Sequence, residues 1–284
     1  MPELPEVENT VRDLRPHLVG RRIEGAQVFW SRLLHDLSPE VFDAALRGRQ
    51  IINTERRGKF LIFPLDDGSS LLLHLRMTGK LWVEDRQTPV DKHTHVLIDL
   101  DNGRQLRYQD VRKFGRFYLV QDRDVVLGKL GPEPLSDEFS PIDLLGMIQH
   151  RTTAIKALLL DQQVVAGIGN VYADEALFRA GIHPLRPGVT LTLTDCNRLY
   201  ASVRQILAEA IREGGSTLGQ STLTNFRRPN GVQGRFQQRH QVYRLTGKPC
   251  PVCGATVQKI KVAQRSTHFC PACQPIDGFN NPLN

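Results

Sequence analysis

Four cysteines near the end of the chain constrain its folding more than any other feature. They read Cys250-Pro251-Val252-Cys253 and Cys270-Pro271-Ala272-Cys273, with sixteen residues between the pairs. Two C-x2-C knuckles at this separation offer four soft thiolates, the donor set of a tetrahedral Zn2+ site. With all four positions filled by protein no place is left for water, so the ion is expected to fold the segment and not to catalyse. A redox dithiol or disulfides are the competing readings. The expected lack of a secretory signal, hence a reducing compartment, weighs against both. Between the knuckles, Thr256–Val262 alternates and predicts a strand, Ala263-Gln264-Arg265-Ser266 predicts a turn, and Thr267-His268-Phe269 leads back. Arg265 is then expected at the tip of a zinc-braced hairpin. The fifth cysteine, Cys196, falls in a predicted helix and reads as a small core or surface residue.

The same region holds the excess charge. The net charge is +7, yet Gly214 to Ile276 contains no Asp or Glu and nine Lys or Arg, among them Arg227, Lys259 and Arg265. The first 213 residues carry 28 basic and 29 acidic side chains and are close to neutral. Positive charge gathered on a metal-ordered segment is the electrostatic footprint of a phosphate-binding surface, so nucleic acid is the expected partner. No apolar run is long enough to span a bilayer.

At the other end the chain opens Met1-Pro2-Glu3-Leu4-Pro5-Glu6. Removal of Met1 would leave a secondary amine, and an α-amino group with an ordinary pKa of about 8 is partly uncharged near neutrality. Such an amine attacking a sugar C1′ collapses directly to an iminium, a Schiff base. Pro5 suits the first turn of a helix, whose positive end would favour the unprotonated amine. Met-Pro starts are also common without any such role.

The 284 residues, 40% hydrophobic, suffice for two domains with their own cores. Residues 5–18 predict a helix. From Arg22 to Gln121 alternating runs such as Ser70–Leu75, His95–Leu100 and Gln105–Tyr108 predict six or more strands in a two-layer antiparallel sandwich. Gly131-Pro132-Glu133-Pro134 marks a linker. Beyond it, Pro141–His150, Ala154–Gln162, Tyr172–Ala180 and Thr194–Glu213 predict helices. Ala166-Gly167-Ile168-Gly169-Asn170 reads either as a plain corner between helices or as a turn whose N–H groups meet a phosphate.

Taken together, the chain resembles the bacterial formamidopyrimidine-DNA glycosylases, bifunctional base-excision enzymes of the helix–two-turn–helix class. The resemblance rests on Met1–Glu8, Arg56-Arg57-Gly58-Lys59, His74–Gly79, Lys92–His95, Tyr108–Gly115, Leu130–Leu135, Thr153–Pro184 and Gln241–Gln274, nearly the full length. It implies an α+β fold: residues 1–132 form a catalytic β-sandwich domain with an N-terminal helix, 133–245 a helical helix–two-turn–helix domain with a lesion-capping loop, 246–274 a four-cysteine zinc finger, and 275–284 a disordered tail. It implies that Pro2 attacks C1′ and expels a damaged base, that Glu3 donates a proton to the opening sugar, that Lys59 serves β-elimination, and that Arg265 grips the flanking phosphates and assists δ-elimination. Met77, Arg112 and Phe114 would fill the gap left by the flipped nucleotide, and His93, Arg151 and Asn170 would also contact DNA. One structural zinc on Cys250, Cys253, Cys270 and Cys273, a double-stranded DNA partner with damaged bases, a monomer and a bacterial cytoplasmic location complete the expectation.

Read without the resemblance, Lys59 is a surface lysine in a basic cluster, and Met77 and Phe114 are buried in the sandwich. Two departures from the family pattern stand out: Arg151-Thr152 stand where lysines are common, and Arg76 stands where glycine is often found. Three rival readings remain: a sister glycosylase for oxidised pyrimidines, a non-catalytic zinc-finger DNA-binding protein, and a metal-dependent nuclease. The last is disfavoured because no HExxH motif or carboxylate cluster is present. No phosphate-binding loop or dinucleotide fingerprint implies a nucleotide cofactor.

Overall fold

In the computed structural model, residues 220, 222, 224 and 277–284 lie outside the described part of the chain, and with them most of the 275–284 tail. The chain forms two compact units: Met1–Lys129 with Glu213–Gln237, and Leu130–Arg212 with Gln238–Asn284. The stretch Glu213–Gln237, expected among the helices, thus groups with the first unit. Long-range polar contacts account for this: the Ser216 N–H donates to Glu6 Oε1 at 2.7 Å, and Arg228 pairs with Asp13 through bonds of 2.5 and 2.8 Å.

The first unit opens with helix α1 (Leu4–Leu18), capped by Glu3 and with Pro5 in its first turn. Val7, Val11, Leu14 and Leu18 recur at helical spacing and are buried. Strand β1 (Ile23–Val28) and helix α2 (Pro39–Leu46, capped by Ser38) follow. Then come β2 (Glu55–Arg57), β3 (Phe60–Pro64), β4 (Ser70–His74), β5 (Lys80–Asp85), β6 (Thr94–Leu100), β7 (Arg104–Gln109), β8 (Arg116–Val120) and the short α3 (Asp124–Leu127). They build two antiparallel sheets, ordered β1-β6-β7-β5 and β2-β3-β4-β8. Every second residue points to one shared core: Leu61 and Phe63, Leu71 and Leu73, Val96, Ile98 and Leu100, Leu106 and Tyr108, joined by the buried face of α1. This is the expected sandwich.

The second unit holds α4 (Pro141–Ile148), α5 (Ile155–Leu160), α6 (Asn170–Ala180) and α7 (Leu193–Arg212). A Ser140–Asp143 capping box starts α4, and Gly181 in the left-handed region ends α6. Cys196 lies fully buried in α7. The hairpin β9 (Gln258–Val262) and β10 (Arg265–Phe269) closes the unit. Its turn is shorter than the sequence suggests. Ala263 and Gln264 alone make it, at φ 47° and 61°, and Arg265 already pairs with Val262 as the first residue of β10. Among the described residues no helix is long and apolar enough to cross a membrane.

Candidate active site

Pro2 lies immediately before the cap of α1 and is buried, whereas Met1 is 48% exposed. The Glu3 N–H donates to Glu6 Oε2 at 2.8 Å, the returning arm of a capping box that fixes the two residues at the helix start. Both carboxylic residues are buried. The positive end of α1 therefore faces Pro2 and Glu3, the arrangement expected from Pro5. The second oxygen of Glu6 holds the Ser216 amide, so one side chain joins the start of α1 to the 213–237 segment. Gly215 permits this at φ 80°: a Cβ there would lie 2.7 Å from Glu6 Oε1.

Lys59 sits in the two-residue turn between β2 and β3, after Gly58 at φ 56°. It is buried, not a surface lysine. Arg56 on β2 ties this hairpin to α1 by a 2.9 Å pair with Glu8. Burial alone would raise the Glu8 carboxyl, but hydrogen bonding and charge from Arg56, then Arg12, hold it below the usual range. His74, at the end of β4, was given no role from sequence beyond its place in the matching stretch His74–Gly79. Burial, then the charges of Arg76 and Lys59, push its imidazole down to about 3. Its Nδ1 accepts the Arg76 N–H at 3.0 Å, which leaves the ring proton on Nε2. His74 should therefore stay neutral from pH 8 to pH 5. Nitrogen-15 NMR of the ring should show one Nε2–H tautomer throughout, and a midpoint near 6.5 would contradict it.

Met77 and Phe114 are not core residues: they are 39% and 46% exposed. The structure brings them together with Arg112, whose guanidinium carbon lies 4.6 Å from the Phe114 ring centroid and whose Nη1 lies 2.9 Å from Met77 Sδ. The His93 carbonyl accepts the Asp110 N–H at 3.0 Å, which places His93 beside the strand end carrying this group. Alongside, a cleft of about 560 Å3 opens between β5 and the 213–237 segment, lined by Lys80, Trp82, Gln109, Arg227 and others. Burial, then the Arg227 charge, lowers the Lys80 amine to about 8.

In the second unit, Asn170 is the first residue of α6 after the cap Gly169. Its amide donates to the Ser266 carbonyl at 2.9 Å, which ties the helix start to the residue after Arg265. The fully buried Lys156 reaches the same carbonyl at 3.3 Å and pairs with Asp174 at 2.5 Å. Asp174 in turn accepts the His268 amide and faces the His268 ring, both at 3.0 Å. The hairpin bearing the exposed Arg265 is thus pinned to α5 and α6 by buried polar bonds that its sequence does not announce. Arg151 is exposed between α4 and α5.

The four cysteine sulfurs lie within 4.8 Å of one another. Cys250 and Cys273 are 3.8 Å apart and Cys253 and Cys270 3.4 Å apart. Tetrahedral zinc with Zn–S bonds of ~2.3 Å separates its sulfurs by about 3.8 Å, so the donor set and its spacing fit one zinc ion.

An antiparallel sandwich in one unit, with helices and a four-cysteine hairpin in the other, is the architecture of the zinc-finger glycosylases of the helix–two-turn–helix class. Three domain models match in order: the formamidopyrimidine-DNA glycosylase N-terminal domain over residues 1–117, the formamidopyrimidine-DNA glycosylase H2TH domain over 130–222, and the zinc finger found in FPG and IleRS over 247–276. The formamidopyrimidine-DNA glycosylase of Chloroflexus aurantiacus is 47% identical over 277 residues, covering 96% of this chain and 98% of its own. Among solved structures, MutM (Fpg) of Thermus thermophilus superposes with a TM-score of 0.86 at 44% identity, covering 96% of this chain and 98% of that one. The Lactococcus lactis Fpg in complex with a Fapy-dG-containing DNA does so with a TM-score of 0.87 at 39% identity, covering 96% and 100%. The chain belongs to the formamidopyrimidine-DNA glycosylase family, and its cysteine quartet is the structural zinc site of that family's finger.

Proposed function

We propose that this chain removes oxidised purines, 8-oxoguanine and formamidopyrimidines, from duplex DNA and then cuts the strand at the abasic site. The observation that carries the reading is the start of α1, where Pro2 directly precedes the cap residue Glu3 in a member of this family. Once Met1 is removed, the Pro2 amine attacks C1′. A C–N bond forms, the glycosidic bond breaks and the base leaves. Glu3 gives a proton to the sugar oxygen as the ring opens to the iminium. The iminium acidifies C2′, so loss of that proton expels the 3′-phosphate, and a second elimination releases the 5′-phosphate. Lys59 serves the first elimination, and Arg265 with Asn170 holds the phosphates, a task suited to the planar guanidinium. The target nucleotide must leave the stack for C1′ to be reached, and Met77, Arg112 and Phe114 take its place. His93 and Arg151 complete the backbone contacts. The partner is double-stranded DNA of a bacterial cytoplasm.

Borohydride trapping on duplexes carrying 8-oxoguanine, formamidopyrimidine, thymine glycol or an abasic site tests the reading. A covalent adduct with the oxidised purines and the abasic site is expected. A preference for thymine glycol would favour the pyrimidine enzyme, and no adduct at all would favour a non-catalytic binder.

Binding and chemistry should separate in salt titrations. Lys259 on β9 is exposed, so Lys259→Ala should lower the slope of log affinity against log salt by roughly 0.9 and leave lesion preference unchanged. Phe114→Ala should leave the slope at its wild-type value and slow excision, because an apolar wedge touches bases and not phosphates. Equal slope losses in both variants would show the roles to be misassigned.

A further inference from the structure

Asp110 is fully buried at the end of β7, and its carboxylate accepts five hydrogen bonds. Oδ1 accepts the Thr78 hydroxyl at 2.5 Å and the Arg112 amide at 3.2 Å. Oδ2 accepts the Tyr108 phenol at 3.0 Å, the Phe114 amide at 2.8 Å and the Gly115 amide at 2.9 Å. Besides the Tyr108 phenol, which comes from β7 itself, the donors lie in two separate turns. One runs from Leu75 to Gly79 and carries Met77; the other runs from Asp110 to Gly115 and carries Arg112 and Phe114. Two carboxylate oxygens have room for about four lone-pair contacts, so this acceptor is saturated.

Each turn contains a non-glycine residue in the left-handed region, Arg76 at φ 55° and Lys113 at φ 56°. Such conformations cost on the order of 1 kcal/mol or more and persist only where the surroundings enforce them. Side-chain contacts among Met77, Arg112 and Phe114 are exposed and cannot supply that enforcement. The Asp110 bonds can. The environment of Tyr108 shows the same fit. A Cβ on Gly115 would lie 1.8 Å from the Tyr108 oxygen, and one on Gly79 would lie 2.6 Å from it. Both glycines are therefore needed for the phenol to reach Asp110. Burial, then Asp110, raises the phenol well above its usual value, so it remains a donor.

We propose that Asp110 is the positioning residue that joins the Met77 turn to the Arg112–Phe114 turn and makes them one rigid wedge. This rests on the reading that those three side chains fill the gap left by the flipped nucleotide. Asp110 touches no reacting atom. It acts by fixing two backbones, and Thr78 is the single side chain by which it holds the Met77 turn.

The test uses Thr78→Val, which at nearly constant volume removes that link together with the 3.3 Å bond the Thr78 hydroxyl accepts from the Arg112 amide, and Thr78→Ser, which restores both. Extrusion is read from the fluorescence of 2-aminopurine beside 8-oxoguanine, and excision from single-turnover rates on a paired duplex and on an unpaired bubble. Thr78→Val should slow extrusion and duplex excision roughly tenfold, the size of one charge-assisted hydrogen bond, and leave bubble excision at the wild-type rate. Thr78→Ser should recover most of the loss. In a Phe114→Ala background Thr78→Val should add little, because the wedge is already gone. Wild-type extrusion by Thr78→Val overturns the proposal, as does an equal loss on duplex and bubble or full additivity with Phe114→Ala. Wild-type extrusion by Phe114→Ala itself would overturn the wedge reading beneath it, and the proposal with it.

Discussion

A chain that keeps Met1 should form no borohydride adduct with abasic DNA and should excise 8-oxoguanine slower by a factor on the order of 10^3 or more, the scale of losing a nucleophile. With Met1 attached, the Pro2 nitrogen is a tertiary amide whose lone pair is delocalised into the carbonyl, so it cannot attack C1′. The half-exposed Met1 side chain is open to trimming, while Pro2 and Glu3 behind it are buried. Trimming would therefore uncover an amine already placed before the cap of α1. Pro2→Gly leaves a primary amine after processing. It should retain part of the abasic-site cleavage and lose most base release, because the iminium of a secondary amine has no N–H to lose and stays cationic, whereas that of a primary amine can relax to a neutral imine. Mass spectrometry of the terminus, paired with trapping yields, decides the matter. Full-rate excision by an uncleavable N-terminal extension would rule out Pro2 as the nucleophile.

Local patterns made much of this protein legible. The 7-11-14-18 stripe and the Glu3-Leu4-Pro5-Glu6 start announce α1, alternation announces the strands, and the cysteine spacing announces the zinc site. What escaped depends on contacts far apart in sequence or on unusual backbone. Glu213–Gln237 joins the first unit through Glu6–Ser216 and Asp13–Arg228, pairs separated by more than two hundred residues. Arg265 was displaced by one position because Ala263 and Gln264 adopt positive φ without the Gly or Asn that usually marks such a turn. Met77 and Phe114 looked like core residues because hydrophobicity alone cannot tell a buried side chain from one presented on a turn. That Arg76 and Lys113 turn left-handed beside them has no signature in residue type. Asp110, His74 and Lys156 matter through burial and partners, and in the sequence each reads as an ordinary polar residue.

Loss of zinc should separate the two units. Cys250→Ser, or removal of the ion by a strong chelator, is expected to lower affinity for abasic-site DNA by a factor on the order of 10^2 to 10^4 while the first unit stays folded. A two-stranded hairpin is barely stable alone in water. The apolar cluster beneath this one is small: Phe178, Val242, Val257 and two of the cysteines themselves. Structural zinc contributes ~10–16 kcal/mol to such a segment, more than this cluster can replace. Without it the Ser266 carbonyl leaves Lys156 and Asn170, and His268 leaves Asp174, so Arg265 loses its fixed position. Two charge-assisted contacts to phosphate, from Arg265 and its neighbours, are worth about 3–6 kcal/mol together, which gives the stated range. The sandwich has its own core and shares none of these bonds. Calorimetry should accordingly show one transition kept and one lost. Because the Pro2 amine belongs to the unit that survives, weak trapping should persist at high DNA concentration. Metal analysis that finds no zinc in fully active protein, or wild-type affinity in Cys250→Ser, would rule out this division of labour.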